Sequence, residues 1–135
     1  MPRLYLLHPL LIGALPNWDA VFAHAAGLSF DSVLLAPVFA PGGNGNLYQI
    51  SDPDVPHPVL EAPGDAAAAL AMLAEKARAQ GLALYLDLVL DRAAVDGALV
   101  AAHRGWFEPA GDAAPPDPRH PQPERGTLRA RLEDP

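Results

Sequence analysis

The residues best placed to do chemistry stand together at the end of one apolar run. Leu84-Tyr85-Leu86-Asp87-Leu88-Val89-Leu90 breaks into Asp91-Arg92, and Asp96 follows four residues on. Carboxylates beside a guanidinium can exchange protons, pair with one another or hold hydroxyl groups. Where such a cluster ends a parallel strand of an α/β fold, it faces the crevice in which ligands gather. The run therefore reads as a buried parallel strand with acid and base at its C-terminal end.

Elements that could position this cluster alternate along the chain. Arg3 to His8 reads as a first strand. Leu4 to Leu15 also resembles a signal-peptide core, but His8 and Pro9 interrupt it, Arg3 is its only basic flank and no small-x-small site follows. Asn17 is a candidate N-cap for a helix over Trp18 to Ala26, with Gly27 past its end. Ser32 to Ala36 is apolar enough for a strand buried on both faces. From Pro37 to Gly64 no regular element is expected, and Gly42-Gly43-Asn44-Gly45 reads as a flexible tip without the lysine of a phosphate loop. Asp65 to Gln80 is the clearest helix, with Leu70, Leu73 and Ala77 inward, Glu75, Lys76 and Arg78 outward, and Gly81 as its stop. A further helix is expected from about Asp96 to His103. The β-α-β-α-β order implies a parallel sheet with crossover helices.

Composition narrows the function classes. The 135 residues carry a net charge of −7, which argues against nucleic acid as a partner. No cysteine is present, so disulfides, thiolate catalysis and cysteine-held zinc are excluded. No apolar stretch approaches the roughly 20 residues of a membrane span, and a cytoplasmic protein without a membrane partner is expected. Two parts are expected: residues 1–108 as a β/α domain, and 109–135 as an irregular proline-rich tail. Leu128 and Leu132 in that tail suit either a short helix or solvated chain.

Three segments, in order, resemble the catalytic domain of the α-amylase superfamily, glycoside hydrolase family 13. Gly27-Leu28-Ser29-Phe30-Asp31-Ser32-Val33-Leu34-Leu35-Ala36-Pro37-Val38-Phe39 is similar to the family's second strand. Leu47-Tyr48-Gln49-Ile50-Ser51-Asp52 is similar to its Tyr-Asp-Ile-Thr-Asp loop. Asp87-Leu88-Val89-Leu90-Asp91-Arg92 aligns with its Asp-x-Val-x-Asn-His signature. The continuation from Ala94 to Trp106-Phe107 looks most like the maltosyltransferase-type branch. The resemblance implies the first three β-α units of a TIM-type (β/α)8 barrel, a partial barrel, in truncated and degenerate form.

The same resemblance distributes roles. Tyr48 matches a tyrosine that stacks on the sugar, though a loop tyrosine covering the barrel mouth is the plainer reading. Asp87 matches the aspartate that organises the strand end, with Arg92 and backbone amides as its candidate partners. Asp91 stands where the family has an asparagine that often binds calcium, and Arg92 where it has a sugar-binding histidine. Arg92 is expected to bridge to Asp87, Asp91 or Asp96, or to take a sugar hydroxyl. Tyr48, Asp87 and Arg92 are thus the expected substrate-binding residues. No catalytic residue, metal or cofactor is expected, because the family's acid and nucleophile have no match here and hydrolysis needs two carboxylates across one bond. His57 and His103 have no metal-ligand spacing and read as capping or surface residues. The partner expected is an α-glucan or maltooligosaccharide. An open partial barrel would also favour self-association or a partner chain that completes it.

Overall fold

The computed structural model describes residues 3–109 and 127–130. The chain divides into two compact units, Met1–Ala40 with Pro53–Leu88, and Pro41–Asp52 with Val89–Pro135.

The first unit is built on a three-stranded parallel sheet: β1 (Leu4–Leu7), β2 (Ser32–Leu35) and β5 (Ala83–Leu86), in the order β1-β2-β5. Strand β1 stops where His8 and Pro9 break the apolar run, and Pro9 opens a single helical turn, α1 (Pro9–Ile12). Proline suits the first helical position because its missing N–H would have no partner there. A 3-10 turn (Leu15–Asn17) leads into α2 (Trp18–Gly27). Asn17 holds the N-cap position but makes no side-chain cap; its amide donates to the Ile12 carbonyl at 2.8 Å. Helix α3 (Ala66–Ala79) is capped as a capping aspartate should cap it, with Asp65 Oδ1 accepting from the Ala68 N–H at 2.8 Å. Gly81, at φ +74°, adopts the left-handed turn that returns the chain to the sheet.

The core of this unit is one layer thick. Trp18, Phe22 and Ala25 of α2 and Ala69, Leu73 and Ala77 of α3 pack with Leu7, Val33 and Leu35 of the sheet. Register places Tyr5, Val33 and Leu84, then Leu7, Leu35 and Leu86, on this helix-covered face. The alternate residues Leu4, Leu6, Leu34 and Tyr85 point the other way, and Leu6 is 65% and Tyr85 54% exposed.

The strand expected from Leu84 to Leu90 therefore needs correcting twice. It is half-exposed rather than buried, because β5 is an edge strand with helices on one face only. It is also shorter. The Asp87 N–H still donates to the Leu35 carbonyl at 2.8 Å, but the next ladder bond would need an N–H from residue 37, which is proline. Leu88 and Leu90 then leave the sheet and are exposed.

The segment from Pro37 to Gly64, expected to be irregular, holds β3 (Phe39–Pro41), β4 (Ile50–Pro56) and a 3-10 turn over Pro58–Leu60. Strands β3 and β4 form a two-stranded sheet, in which the prolines 53 and 56 are tolerated because an edge leaves one row of N–H groups unused.

The second unit contains β6 (Arg92–Ala94), a short α4 (Ala98–Ala102), a 3-10 turn over Arg104–Trp106, β7 (Phe107–Pro109) and β8 (Thr127–Ala130). Strand β8 pairs antiparallel with both β6 and β7. Thr127–Ala130 is thus a strand, where the spacing of Leu128 and Leu132 had suited a helix or a solvated tail. The rest of the expected proline-rich tail, 110–126 and 131–135, lies outside the described residues. Among the described residues no helix is long and apolar enough to cross a membrane.

Candidate functional site

In the first unit the parallel strands end together, and the residues that follow them line up at one edge of the sheet. These are His8 after β1, Ala36 after β2 and Asp87 after β5. The Ala36 N–H donates to the Leu7 carbonyl at 3.0 Å, as the Asp87 N–H does to Leu35, so the backbone at this edge is fixed. Asp87 is partly buried, and its carboxylate has no side-chain partner among the described residues. His8 was not singled out from sequence, where it served only as a break in the apolar run. It carries a buried Nδ1 with no hydrogen-bond partner among the described residues. Its signal was there to read: one titratable side chain at the very end of an apolar strand.

Nearby in this unit, His57 is buried and caps the 3-10 turn, its Nδ1 accepting from the Val59 N–H at 3.0 Å. Burial pushes its pKa below the ordinary imidazole value, since a charged ring would lose its water. The capping role expected for His57 is what the structure shows.

The other expected binding residues, Tyr48 and Arg92, lie in the second unit, so the structure does not gather all three into one compact body. Tyr48 sits in a turn that is tied at every step. The Gly42 N–H donates to the Gln49 carbonyl at 2.9 Å, Asn44 Nδ2 to Gln49 Oε1 at 2.6 Å, and the Tyr48 N–H to Asn46 Oδ1 at 2.9 Å. The tip expected to be flexible is therefore laced by hydrogen bonds. It is also tied across the unit, because Asp96 Oδ2 accepts from the Gly43 N–H at 2.9 Å. Glycine is required at 42: a Cβ there would come within 2.6 Å of the Ala94 Cβ and 2.8 Å of Asp96 Oδ1.

Arg92 pairs with its neighbour Asp91. Its Nη2 donates to Asp91 Oδ2 at 2.7 Å, and its Nε lies 3.1 and 3.2 Å from the two carboxylate oxygens. The hydrogen bonds that Arg92 donates to this carboxylate raise the already high pKa of the guanidinium, burial opposing them. Of the partners foreseen for Arg92, the structure selects Asp91, and Asp96 is given instead to the Gly43 amide. The Asp91 side chain is 68% exposed, so the pair orients Arg92 more than it stabilises the fold. His103, expected at the surface, is exposed and stacks on Trp106 with ring centroids 3.8 Å apart and planes 7° from parallel. Among the described residues no group of three or more His, Cys, Asp or Glu side chains could hold a metal.

No protein-family model matches the chain. Its sequence is 36% identical over 106 residues to an alpha-1,4-glucan:maltose-1-phosphate maltosyltransferase of Burkholderia pseudomallei (strain K96243), a match that spans 78% of this chain and 9% of that protein. Its fold is similar to a maltogenic α-amylase, AmyB, from Thermotoga neapolitana, with a TM-score of 0.70 at 18% identity over 96% of this chain and 32% of the other. It is similar also to the α-glucosyl transfer enzyme XgtA, with a TM-score of 0.64 at 24% identity over 85% of this chain and 24% of that one. Trehalose-6-phosphate hydrolase of Bacillus licheniformis gives a TM-score of 0.63 at 19% identity over 98% and 28%. The chain thus spans a tenth to a third of the proteins it matches. Its parallel strands and crossover helices are part of a TIM-type barrel, and the face bearing Leu6 and Tyr85, away from the helices, corresponds to the inside of such a barrel. The ordered sequence match and the shared fold lead to one conclusion: the chain belongs to the α-amylase superfamily, glycoside hydrolase family 13, and matches part of its catalytic domain.

Proposed function

We propose that this chain is an α-glucan-binding part of an α-amylase-type barrel that does not hydrolyse or transfer glucan by itself. The observation that carries the reading is the sequence match to a maltosyltransferase, whose name couples an α-1,4-glucan with maltose 1-phosphate. In this reading the ring of Tyr48 packs on a pyranose, whose axial C–H groups suit an aromatic face. Asp87 organises the strand end, and Arg92, oriented by Asp91, donates to sugar hydroxyls. The chain lacks matches to the family's acid and nucleophile, and a cleavage reaction needs both carboxylates across one bond.

The test is retardation of the whole chain in native gels containing amylose, with Tyr48→Ala and Arg92→Ala beside it. Retardation that weakens in both variants is expected, with no release of reducing sugar from maltooligosaccharides. Turnover of maltooligosaccharides by the chain alone would sink the non-catalytic half of the proposal, and unimpeded migration would sink the binding half.

One observation favours a second reading, an interaction module. Among the described residues, Leu4, Leu6 and Tyr85 form an exposed apolar sheet face, and no further strand pairs with either edge of the sheet. Self-association or a partner chain would cover them, which sedimentation across a concentration series measures.

A further inference from the structure

We infer that Asp96 is the positioning residue of the second unit: it sets the turn that carries Tyr48 against the strand that opens with Arg92. The inference rests on the α-glucan reading above. It adds to that reading a side chain that acts through the backbone rather than on the ligand.

Contacts within the Tyr48 turn fix its shape. Ser51 Oγ donates to the Pro41 carbonyl at 2.9 Å across its base, the Gly42 N–H to the Gln49 carbonyl at 2.9 Å, and the Asn46 N–H to Asn44 Oδ1 at 3.0 Å near its tip. None of these decides where the turn lies relative to Arg92. That is decided by the chain just beyond β6, the strand Arg92 begins. There the Gly97 N–H donates to the Ala94 carbonyl at 3.0 Å, and the bend so closed carries Asp96, whose Oδ2 accepts from the Gly43 N–H at 2.9 Å. The backbones also approach closely around this bond, since no Cβ would fit at Gly42 beside Ala94 and Asp96, or at Gly97 beside Ser51. Close packing stops the turn from moving inward but not from lifting or sliding. A hydrogen bond resists all three, and a carboxylate acceptor makes it about twice as strong as a neutral one.

The nearby charges are divided in a way that leaves Asp96 to this task. Arg92 gives Nη2 and Nε to Asp91, so the one guanidinium at the start of β6 does not draw Asp96 off the amide. Asp96 is exposed, and water competes for it, so the bond contributes little to whether the unit folds. Its consequence is for geometry: without it, Tyr48 and Arg92 are no longer held in one arrangement. Substitution of Asp96 should therefore change binding more than stability.

Amide hydrogen exchange and retardation in amylose gels, both on the whole chain, test the two halves. In Asp96→Ala, exchange at Gly43 and Tyr48 is expected to quicken while the amides of α3 and the near-UV dichroism of Trp106 stay as they were. Amylose binding should weaken about two- to tenfold, the net worth of one hydrogen bond. Asp96→Asn keeps an acceptor for the Gly43 N–H and should restore most of both. In a Tyr48→Ala background Asp96→Ala should cost little more, because the ring it misplaces is already gone. An equal cost in both backgrounds would show that Asp96 acts on the ligand directly and would overturn the positioning role, as would unchanged exchange at Gly43 and Tyr48. If amylose retards wild type and Asp96→Ala alike, the inference falls and the glucan reading stands. If wild type itself migrates freely, the glucan reading falls and takes with it the role given to Asp96.

Discussion

The two faces of the parallel sheet carry nearly the same residues and have opposite fates. On one, Leu7, Val33 and Leu35 are almost wholly buried under α2 and α3; on the other, Leu4, Leu6 and Tyr85 are about half-exposed or more. Side-chain chemistry does not separate them, since leucine stands on both. What separates them is the supply of covering elements. The crossover helices of a right-handed β-α-β chain fall on one side of the sheet, and the residues beyond them meet no second layer among the described residues. Apolar character thus records what a strand was shaped to meet, whereas burial records what meets it.

The largest effect should come from the covered face. Leu35→Ala removes a side chain with no exposure from the middle strand and should cost about 2–5 kcal/mol, read as a fall in the urea midpoint at constant m-value. A loss under about 1 kcal/mol would mean the helices do not clamp the sheet as described.

Second in size is a change that adds atoms rather than removing them. The second unit leans less on an apolar core than on close backbone approaches, of which Gly97 makes the tightest. A Cβ there would meet the Ser51 carbonyl oxygen at 2.6 Å and the Ser51 Cα at 2.8 Å. Gly97→Ala should therefore cost about 1–3 kcal/mol, visible as lost near-UV dichroism from Trp106 while the signal of the buried Trp18 persists. Loss of both signals together would show that the units unfold as one.

Acid should produce a smaller effect, confined to the first unit. His57 is held neutral by burial, with Nδ1 accepting the Val59 N–H, so its folded pKa lies below the ordinary value of 6.5. The unfolded chain then takes up the proton first as pH falls through 6.5, and it binds more protons than the folded chain until the lower pKa is passed. Stability therefore declines on acidification through that window and is full above it. His57→Gln should flatten the dependence measured by urea titration; an unchanged slope would assign it to another group.

How much of this the sequence disclosed follows from range. Elements set by local chemistry were legible: the end of the first strand at His8 and Pro9, the α3 stripe of Leu73 and Ala77, and Gly81 as the stop of that helix; the Asp65 cap was not singled out, and Asn17, which was, makes no side-chain cap. Contacts between residues adjacent in sequence could be enumerated, as with Arg92 and Asp91. What depended on a distant partner was not legible. The end of β5 is set by Pro37 on the neighbouring strand, and β8 exists because Thr127–Ala130 finds β6 and β7. Tyr48 and Arg92 could be aligned with a family signature, yet the hydrogen bonds that fix the Tyr48 turn, and the Asp96 carboxylate that ties it to residues some fifty positions away, appear only in three dimensions.

The smallest expected effect completes the contrast between the faces. Leu6 is 65% exposed, so Leu6→Asn in a monomer trades one solvated side chain for another and should change stability by less than about 0.5 kcal/mol. The same leucine lies beside Leu34 and Tyr85 on one patch, and among the described residues no further strand pairs with the sheet edges on either side. If copies of the chain cover that patch for one another, the substitution acts on association instead. The midpoint at low concentration stays put, while the concentration dependence of the wild-type midpoint disappears from the variant. A marked loss of stability in Leu6→Asn even at high dilution would mean that the open face is covered from within the chain, and the difference between the two faces would then be smaller than the described residues make it.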